Sequence, residues 1–505
     1  MRRTAVPLAL LVLLPLAGSA AAAGGAVLPT AGSPGAPTFT ENHGPASPLD
    51  ARGRKTGADS CGEPSLGVNK STPGGYYYMC SQSTWTIAGI SPTADDKGVW
   101  TEVTDPLEGA QTSDPILYTD PTTGRTWVDQ LILSGNSVRA YTDDGGKTYT
   151  RNTIVPGIAF DHQTIGTGKY SPKSTLYKPG LTYPNAFYYC TNDLAAADCA
   201  VSTDSGVTFG PQVPVDKSSP CSKIVGHIKT DPNDGTVYLP PDGCGTQQGV
   251  YVSHDNTQTW ALSTVPGSTV GDSGHPSIAT GKDGTVYYAY GTGDVRPGKS
   301  GRTHVAVSTD QGATWASETA LGADKGILAS RFPTVVAGDG DRAAVAFLGS
   351  TAEGDPGAIP DATAPTAFVY PGSWDLYVSY TVDRGQTWTT YDATPGKPVQ
   401  VGPVCTAGTT CTAGRNLLDF NDMVVGTDGR VAIAMADGNL APGDTYAKGL
   451  AKGDLVRQTS GPSLFAASDT TPATDLPEIP LPAVLPLVGI GFTGLVLARR
   501  RRRTA

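Results

Sequence analysis

The chain has 505 residues, with 46 acidic and 36 basic side chains and a net charge of −10. Setting aside Arg2, Arg3 and the five arginines that start at Arg499 leaves about −17 on the remainder. Such a surface repels polyanions, which excludes nucleic acid as a partner and works against anionic substrates unless a local basic pocket overrides the average.

In chain order, Arg2 and Arg3 precede an apolar run from Ala5 to Leu16 and small residues up to Ala23. That is the layout of a secretory signal peptide over residues 1–23, for which Sec and twin-arginine export both remain open. Residues 24–58, rich in Ala, Gly and Pro, are expected to form a flexible lead-in. Eight cysteines follow in four close pairs: Cys61 and Cys80, Cys190 and Cys199, Cys221 and Cys244, Cys405 and Cys411. An even count in an exported chain points to disulfides, and spacing alone leaves their connectivity open.

Residues 59–465 read as all-β. Short β-branched and aromatic runs alternate with Gly, Asp and Asn turns, and no amphipathic helix interrupts them. One hairpin phrase, "HPSIATGKDGTVYYAY" from His275, recurs from Glu63, Asp114, His227, Phe332 and Phe420, with a degenerate copy from Asp161. Five of these units continue into an eight-residue phrase: "TDDGGKTY", "STDSGVTF", "SHDNTQTW", "STDQGATW" and "TVDRGQTW". A repeated unit of three or four antiparallel strands cannot bury both of its faces alone, so the pattern predicts a β-propeller. Seven blades are expected, with six as the alternative, because the first and last units carry only vestiges of the phrase ("DDKGVW", "TSGPSLF"). The runs "YYYM" and "VYYAY" read as core strands rather than as a sugar-stacking platform. A single propeller of this size is expected to be a monomer.

The eight-residue phrase resembles the Asp-box, or bacterial neuraminidase repeat. Asp144, Asp204, Asp255, Asp310 and Asp383 hold its acid position, and Thr257 stands where glycine is expected. The resemblance implies turns at the blade periphery that mark the fold and not the chemistry. The family includes sialidases, other glycosidases and binding propellers, and a fold does not imply a function. Sialidases, as the resemblance implies, hold the substrate carboxylate with three arginines and add a Tyr–Glu nucleophile pair and an acid/base Asp. Where the family places its first arginine this chain reads Glu63-Pro64; the nearest match is Arg331-Phe332-Pro333, out of order. Arg296, Arg302 and Arg415 fall in loops that nothing marks as a triad.

Propeller geometry suggests a second constellation. Residues at the head of each innermost strand crowd around one mouth of the central channel, and here they are Glu63, Asp114, Asp161 with His162, His227, His275, Arg331 and Asp422. Three of the six histidines of the chain are in that set. Glu63, Asp114, Asp161 and Arg331 are the candidate catalytic groups; His162, His227, His275 and Asp422 are the candidate binding groups. The set suits a divalent cation, or a general acid and base for glycoside cleavage, although no cofactor is required. Polar lining of the channel is the plainer alternative.

After a polar stalk at 466–478, residues 479–498 are free of charge and long enough to cross a bilayer, and a basic tail at 499–505 is expected on the cytoplasmic side. "LPEIP" before the span lacks the Thr-Gly pair of a wall-sorting signal, so a retained membrane anchor is expected. The sequence therefore predicts an exported, membrane-anchored propeller that recognises a glycan or a surface protein. The alternative is an exo-acting, sialidase-type glycoside hydrolase.

Overall fold

Each hairpin phrase extends into a sheet, and seven such antiparallel sheets form a propeller in a computed structural model. It describes residues 28–30, 33, 35–45, 61–105, 112–132, 136–152, 159, 161–193, 195–216, 220–271, 274–293, 301–358 and 369–469. Blades 1 to 6 take their four strands in chain order from residues 65–102, 112–152, 161–214, 229–264, 277–320 and 329–392. Blade 6 adds a short strand, Gln400–Val401, against Ser373 and Trp374. Each innermost strand packs on that of the next blade, and the innermost strand of blade 7 packs on that of blade 1, so the ring is closed with seven members.

Blade 7 is assembled from both ends of the chain. Asp422–Val425, Val431–Asp437 and Lys452–Gln458 supply three strands, and Phe39–His43 supplies the outermost. The register runs from Phe39 opposite Gln458 to His43 opposite Asp454. This corrects the reading of a flexible lead-in at Phe39–His43, because composition does not reveal a partner strand some four hundred residues away; residues 46–58 lie outside the described residues. The vestigial phrase of blade 1 then covers the edge that this strand would otherwise expose. Asp95 and Asp96 accept the backbone N–H groups of Glu41 and His43, each at 2.9 Å, and the Gly98 N–H donates to the Asn42 amide oxygen at 2.8 Å. An open edge is a template for mispairing, and here side-chain carboxylates stand in for the missing strand.

The tyrosine-rich runs are core strands. Gly75–Cys80, Ala186–Asn192, Val286–Thr292, Ala343–Ser350 and Val431–Asp437 are buried along their whole length, since the second strand of a blade is covered on both faces. A tyrosine hydroxyl buried there needs a partner, and every boundary between neighbouring blades has one. Tyr77 reaches Thr126, Tyr118 reaches Thr167, and Tyr188 meets Asn256. Tyr288 donates to Gln248, Tyr287 to the Gly340 carbonyl, Tyr380 to Gln458, and Tyr78 to the Met435 carbonyl.

The five repeated phrases form the turns between the third and fourth strands of blades 2 to 6. In blade 5, Asp310 accepts hydrogen bonds from the Ser308 hydroxyl (2.7 Å), the Thr314 N–H (2.8 Å) and the Thr314 hydroxyl (2.6 Å), while the Gly312 N–H donates to Ser308 Oγ (2.8 Å). The same four bonds recur around Asp144, Asp204, Asp255 and Asp383. Thr257, at the glycine position of blade 4, adopts φ 67°, a strained conformation for a β-branched residue that the surrounding bonds impose.

Between blades 2 and 3 lies a buried ion pair. Arg139 Nε donates to Asp129 at 2.9 Å, both side chains are out of solvent, and the guanidinium sits 4.9 Å from the rings of Tyr189 and Phe209. Disulfides join Cys61 to Cys80, Cys190 to Cys199, Cys221 to Cys244 and Cys405 to Cys411. The first residues of the expected stalk dock on the ring: the Ala466 N–H donates to Asp339 at 2.7 Å, and Asp469 pairs with Arg342. The expected signal segment and membrane span lie outside the described residues. Among those described, no helix is long and apolar enough to cross a membrane.

Two substitutions test this account. In Gly312→Ala the new Cβ has room, with its nearest neighbours at 3.5 Å, but the residue must keep φ 82°. A loss of about 1–2 kcal/mol in chemical denaturation is expected from the backbone alone. Asp129→Ala leaves Arg139 buried without its counter-ion and is expected to cost about 3–5 kcal/mol, whereas the double replacement Asp129→Leu/Arg139→Met recovers most of that loss.

Candidate functional site at the mouth of the channel

The heads of the innermost strands are not regular. Glu63, Asp114, His162 and Phe332 all have positive φ, between 47° and 56°, and the ladder slips at Ser113/Pro115, Asp161/Thr164 and Arg331/Thr334. A bulge at that point re-aims a side chain, and strain of this kind is held in place only by its surroundings. Here Glu63, Asp114 and His162 are aimed at the mouth of the channel, while Phe332 turns into the core.

Glu63, Asp114, Asp161, His162, His227 and His275 come together there, joined by Arg415, Asp419 and Phe420 from the long loop that precedes blade 7. The Arg415 guanidinium grips both oxygens of Asp419. Gly274 makes room for that loop, since a side chain at this position would stand 2.5 Å from the Asp419 carbonyl oxygen. Glu63 and His162 are buried, while Asp114, Asp161, His227, His275, Arg415 and Asp419 are each reached by solvent.

Burial is the main electrostatic force in this cluster. It raises the Glu63 carboxyl well above its usual range, with Asp114 and Asp419 adding to the effect. Burial and the hydrogen-bonded Asp161 carboxyl beside it raise Asp114 to about 6. Asp419 is also desolvated, but the Arg415 hydrogen bonds outweigh this and hold it below the carboxylate range. Glu63 and Asp419, hydrogen-bonded to each other, are thus pushed apart into a protonated and an ionised partner. Burial lowers His275 to about 3 and lowers His162 and His227 as well, so all three imidazoles are neutral at pH 7. Both ring nitrogens of His162, Nε2 of His227 and Nδ1 of His275 have no hydrogen-bond partner among the described residues.

The three imidazoles do not converge on a common point. The Phe420 ring stands among them, its centroid 5.6 Å from that of His162, 4.8 Å from His227 and 6.2 Å from His275. Although His162 and His275 lie 4.1 Å apart, centroid to centroid, no three ligand atoms of this set lie within 4.8 Å of one another among the described residues, so the divalent cation expected here finds no preformed ligand group. Below the mouth, the channel holds a cavity of about 560 Å³ lined by apolar side chains such as Leu66, Ile116, Ile165 and Val335, with His227, Lys229 and Asp422 among them.

Two candidates from the sequence stand apart from the cluster. Asp422 accepts the backbone N–H groups of Leu66 and Met423 at 2.8 Å and lines the channel below the mouth. Arg331 is buried and donates to the carbonyls of Ser330 (3.2 Å) and Val404 (3.5 Å). A shift of one residue along a strand reverses the direction of a side chain, and the Phe332 bulge introduces such a shift. Arg302 begins the third strand of blade 5, and Arg296 lies outside the described residues. Arg415 is therefore the one arginine among the described candidates that joins the carboxyl cluster, and Asp419 already occupies it. Asp419 was not recognisable as a site residue, because the loop that carries it belongs to no repeat, and Phe420, which opens the seventh repeated phrase, carries no polar group to mark it. The only sequence signal was the acid one residue before the repeated phrase of the seventh unit.

No protein-family model matches the sequence, and no curated protein matches it. Solved structures that share the fold include a GH74 xyloglucanase from Xanthomonas campestris, at 13% identity and a TM-score of 0.46, covering 80% of this chain and 54% of that one. An intramolecular trans-sialidase from Ruminococcus gnavus matches at 13% identity and a TM-score of 0.36, over 78% of this chain and 93% of that one. YCF48 bound to D1 peptide matches at 11% identity and a TM-score of 0.42, over 85% and 97%. At these identities and TM-scores the likeness says nothing of what this chain does.

Proposed function

We propose that the mouth of the channel binds a neutral, polyhydroxylated ligand, and that the protein is a glycan-recognition propeller. The observation that carries this reading is the set of carboxyl groups and neutral imidazoles at a mouth whose one clustered guanidinium is already paired. Protonated Glu63 donates, Asp114 donates below about pH 6 and accepts above it, ionised Asp419 accepts, and neutral histidines do one or the other with each ring nitrogen. Sugar hydroxyls match such a mixture. A carboxylated sugar would meet Asp419 at the mouth, while the cation of Lys229 lies below it in the channel beside His227 and Asp422, which favours neutral glycans over sialosides. With the export and anchoring segments expected from the sequence, the propeller would present this face outside the cell.

A second reading rests on the split between Glu63 and Asp419. A carboxylic acid that keeps its proton next to a carboxylate that has lost one is the equipment for acid–base cleavage of a glycosidic bond. In that reading the two carboxyl groups, hydrogen-bonded to each other here, must first part to the roughly 5–9 Å at which such a pair flanks a glycosidic bond; Glu63 then protonates the leaving oxygen and Asp419 activates water or stabilises the developing positive charge.

Neutral and sialylated oligosaccharides immobilised side by side separate these possibilities. Retention of neutral glycans, weakened about tenfold or more by Asp114→Ala, is the expected result. Retention confined to sialylated glycans, or no retention at all, would overturn the proposal. Affinity should also be weaker at pH 8 than at pH 5. Asp114, raised to about 6, keeps its donor proton below that pH and loses it above, and the new charge lies beside Asp161. Release of product from neutral aryl glycosides, reduced about 10²–10⁴-fold by Glu63→Gln, would favour the hydrolytic reading.

A further inference from the structure

The outermost strand of blade 7 carries a second cluster of ionisable groups, separate from the residues at the mouth. Glu41 and His43 are two positions apart on Phe39–His43 and so project from one face of the strand. Asp454 is the cross-strand partner of His43. Ligand atoms of Glu41, His43 and Asp454 all lie within 4.8 Å of one another, the one such group of His, Cys, Asp and Glu among the described residues. Asp437, on the adjoining strand, stands with Oδ2 3.4 Å from His43 Nε2.

Each of these side chains is held by one atom and leaves another facing inward. His43 Nδ1 is 3.0 Å from the Asp96 carboxylate, which leaves Nε2 directed at the cluster. Asp454 accepts the Asn42 N–H through Oδ1 at 2.9 Å, and Asp437 accepts the Asn439 N–H through Oδ1 at 2.7 Å. Glu41 is steadied by Lys397 at 3.3 Å through Oε1. The remaining oxygen of Asp454, Oδ2, is fully buried, has no hydrogen-bond partner among the described residues, and lies 4.0 Å from His43 Nε2. A buried carboxylate oxygen is costly to leave unsatisfied. An imidazole oriented by a second carboxylate, with its other nitrogen facing buried carboxylates, is the usual surrounding of a metal ligand.

We propose that Glu41, His43 and Asp454, with Asp437 beside them, bind a divalent transition-metal ion that fastens the N-terminal strand to the last blade. One imidazole with two or three carboxylates suits Zn²⁺ best; Ca²⁺ and Mg²⁺ prefer all-oxygen sites. The ion would join the strand from the N-terminal end of the ring to the strand Lys452–Gln458 from its other end, so its effect falls on closure and not on the mouth.

The test is thermal unfolding of the purified full-length chain, stripped with EDTA and then titrated with Zn²⁺, with Ca²⁺ as comparator. A rise in Tm of about 2–5 °C is expected once Zn²⁺ is about a hundredfold above its dissociation constant. One equivalent should bind by calorimetry, and Ca²⁺ should give a much smaller shift. His43→Gln and Asp454→Asn should each abolish the response, while His275→Gln at the mouth should keep it. Co²⁺ supplies a readout independent of stability, through visible absorption that appears with the native chain and is lost in His43→Gln. If either variant fails to fold, Glu41→Gln replaces it. No Zn²⁺-dependent rise in the native chain would overturn the proposal. So would a rise unchanged in both variants, or a response to Ca²⁺ as large as that to Zn²⁺.

Discussion

The pairing of Phe39–His43 with Lys452–Gln458 is the contact on which the rest of the ring depends. A propeller closes only if its last blade meets its first, and here the chain brings its two ends together to build one sheet. The disulfides do not help with this step. They close loops of 19, 9, 23 and 6 residues and stiffen the units in which they lie, and none of them links the beginning of the ring to its end. Closure therefore rests on a backbone ladder, on the Asp95 and Asp96 carboxylates that cap its outer edge, and on the buried side chains behind it. The entropy of bringing the ends together grows only slowly with chain length, so a short ladder reinforced in this way is sufficient.

Once closed, the ring sets the environment of both ionisable clusters. Innermost strands that run side by side into one axis crowd their first residues together, and the bulges at Asp114, His162 and Phe332 decide which of those residues look into the mouth. Crowding removes water. That removal keeps Glu63 protonated and the histidines neutral, while the paired guanidinium of Arg415 holds Asp419 ionised. The chemistry open to the mouth thus follows from desolvation first and from the identity of the residues second. The tyrosine hydroxyls at the blade boundaries act in the opposite sense. Where they find a partner across the boundary, they satisfy a polar group inside the core and key each blade to its neighbour.

The periodic features were legible in the sequence. Hairpin phrases, the turns around Asp144, Asp204, Asp255, Asp310 and Asp383, and the tyrosine runs are local patterns, each determined by backbone conformation and burial within one unit. Local order of this kind repeats, so counting it yielded seven units and the residues at the heads of their strands. Glu63, Asp114, Asp161, His162, His227 and His275 were found because each occupies the same place in its repeat.

Three things could not be read this way. Phe39–His43 looks like part of a loose leader because its partner strand is remote in sequence. Arg331 and Asp422 share the repeat position of the mouth residues, yet a bulge and a pair of backbone hydrogen bonds turn them elsewhere. Arg415 and Asp419 lie in a loop that no repeat predicts, next to the Phe420 that opens the seventh phrase, and they reach the mouth only because the closed ring holds that loop over it. Sequence alone determined the repeating blade, because its signals lie within a few residues of one another. The tertiary structure decided which strand completes the ring, which side chains meet at the axis, and which of them keep their protons, because each of those outcomes depends on groups far apart in the chain sharing one desolvated space.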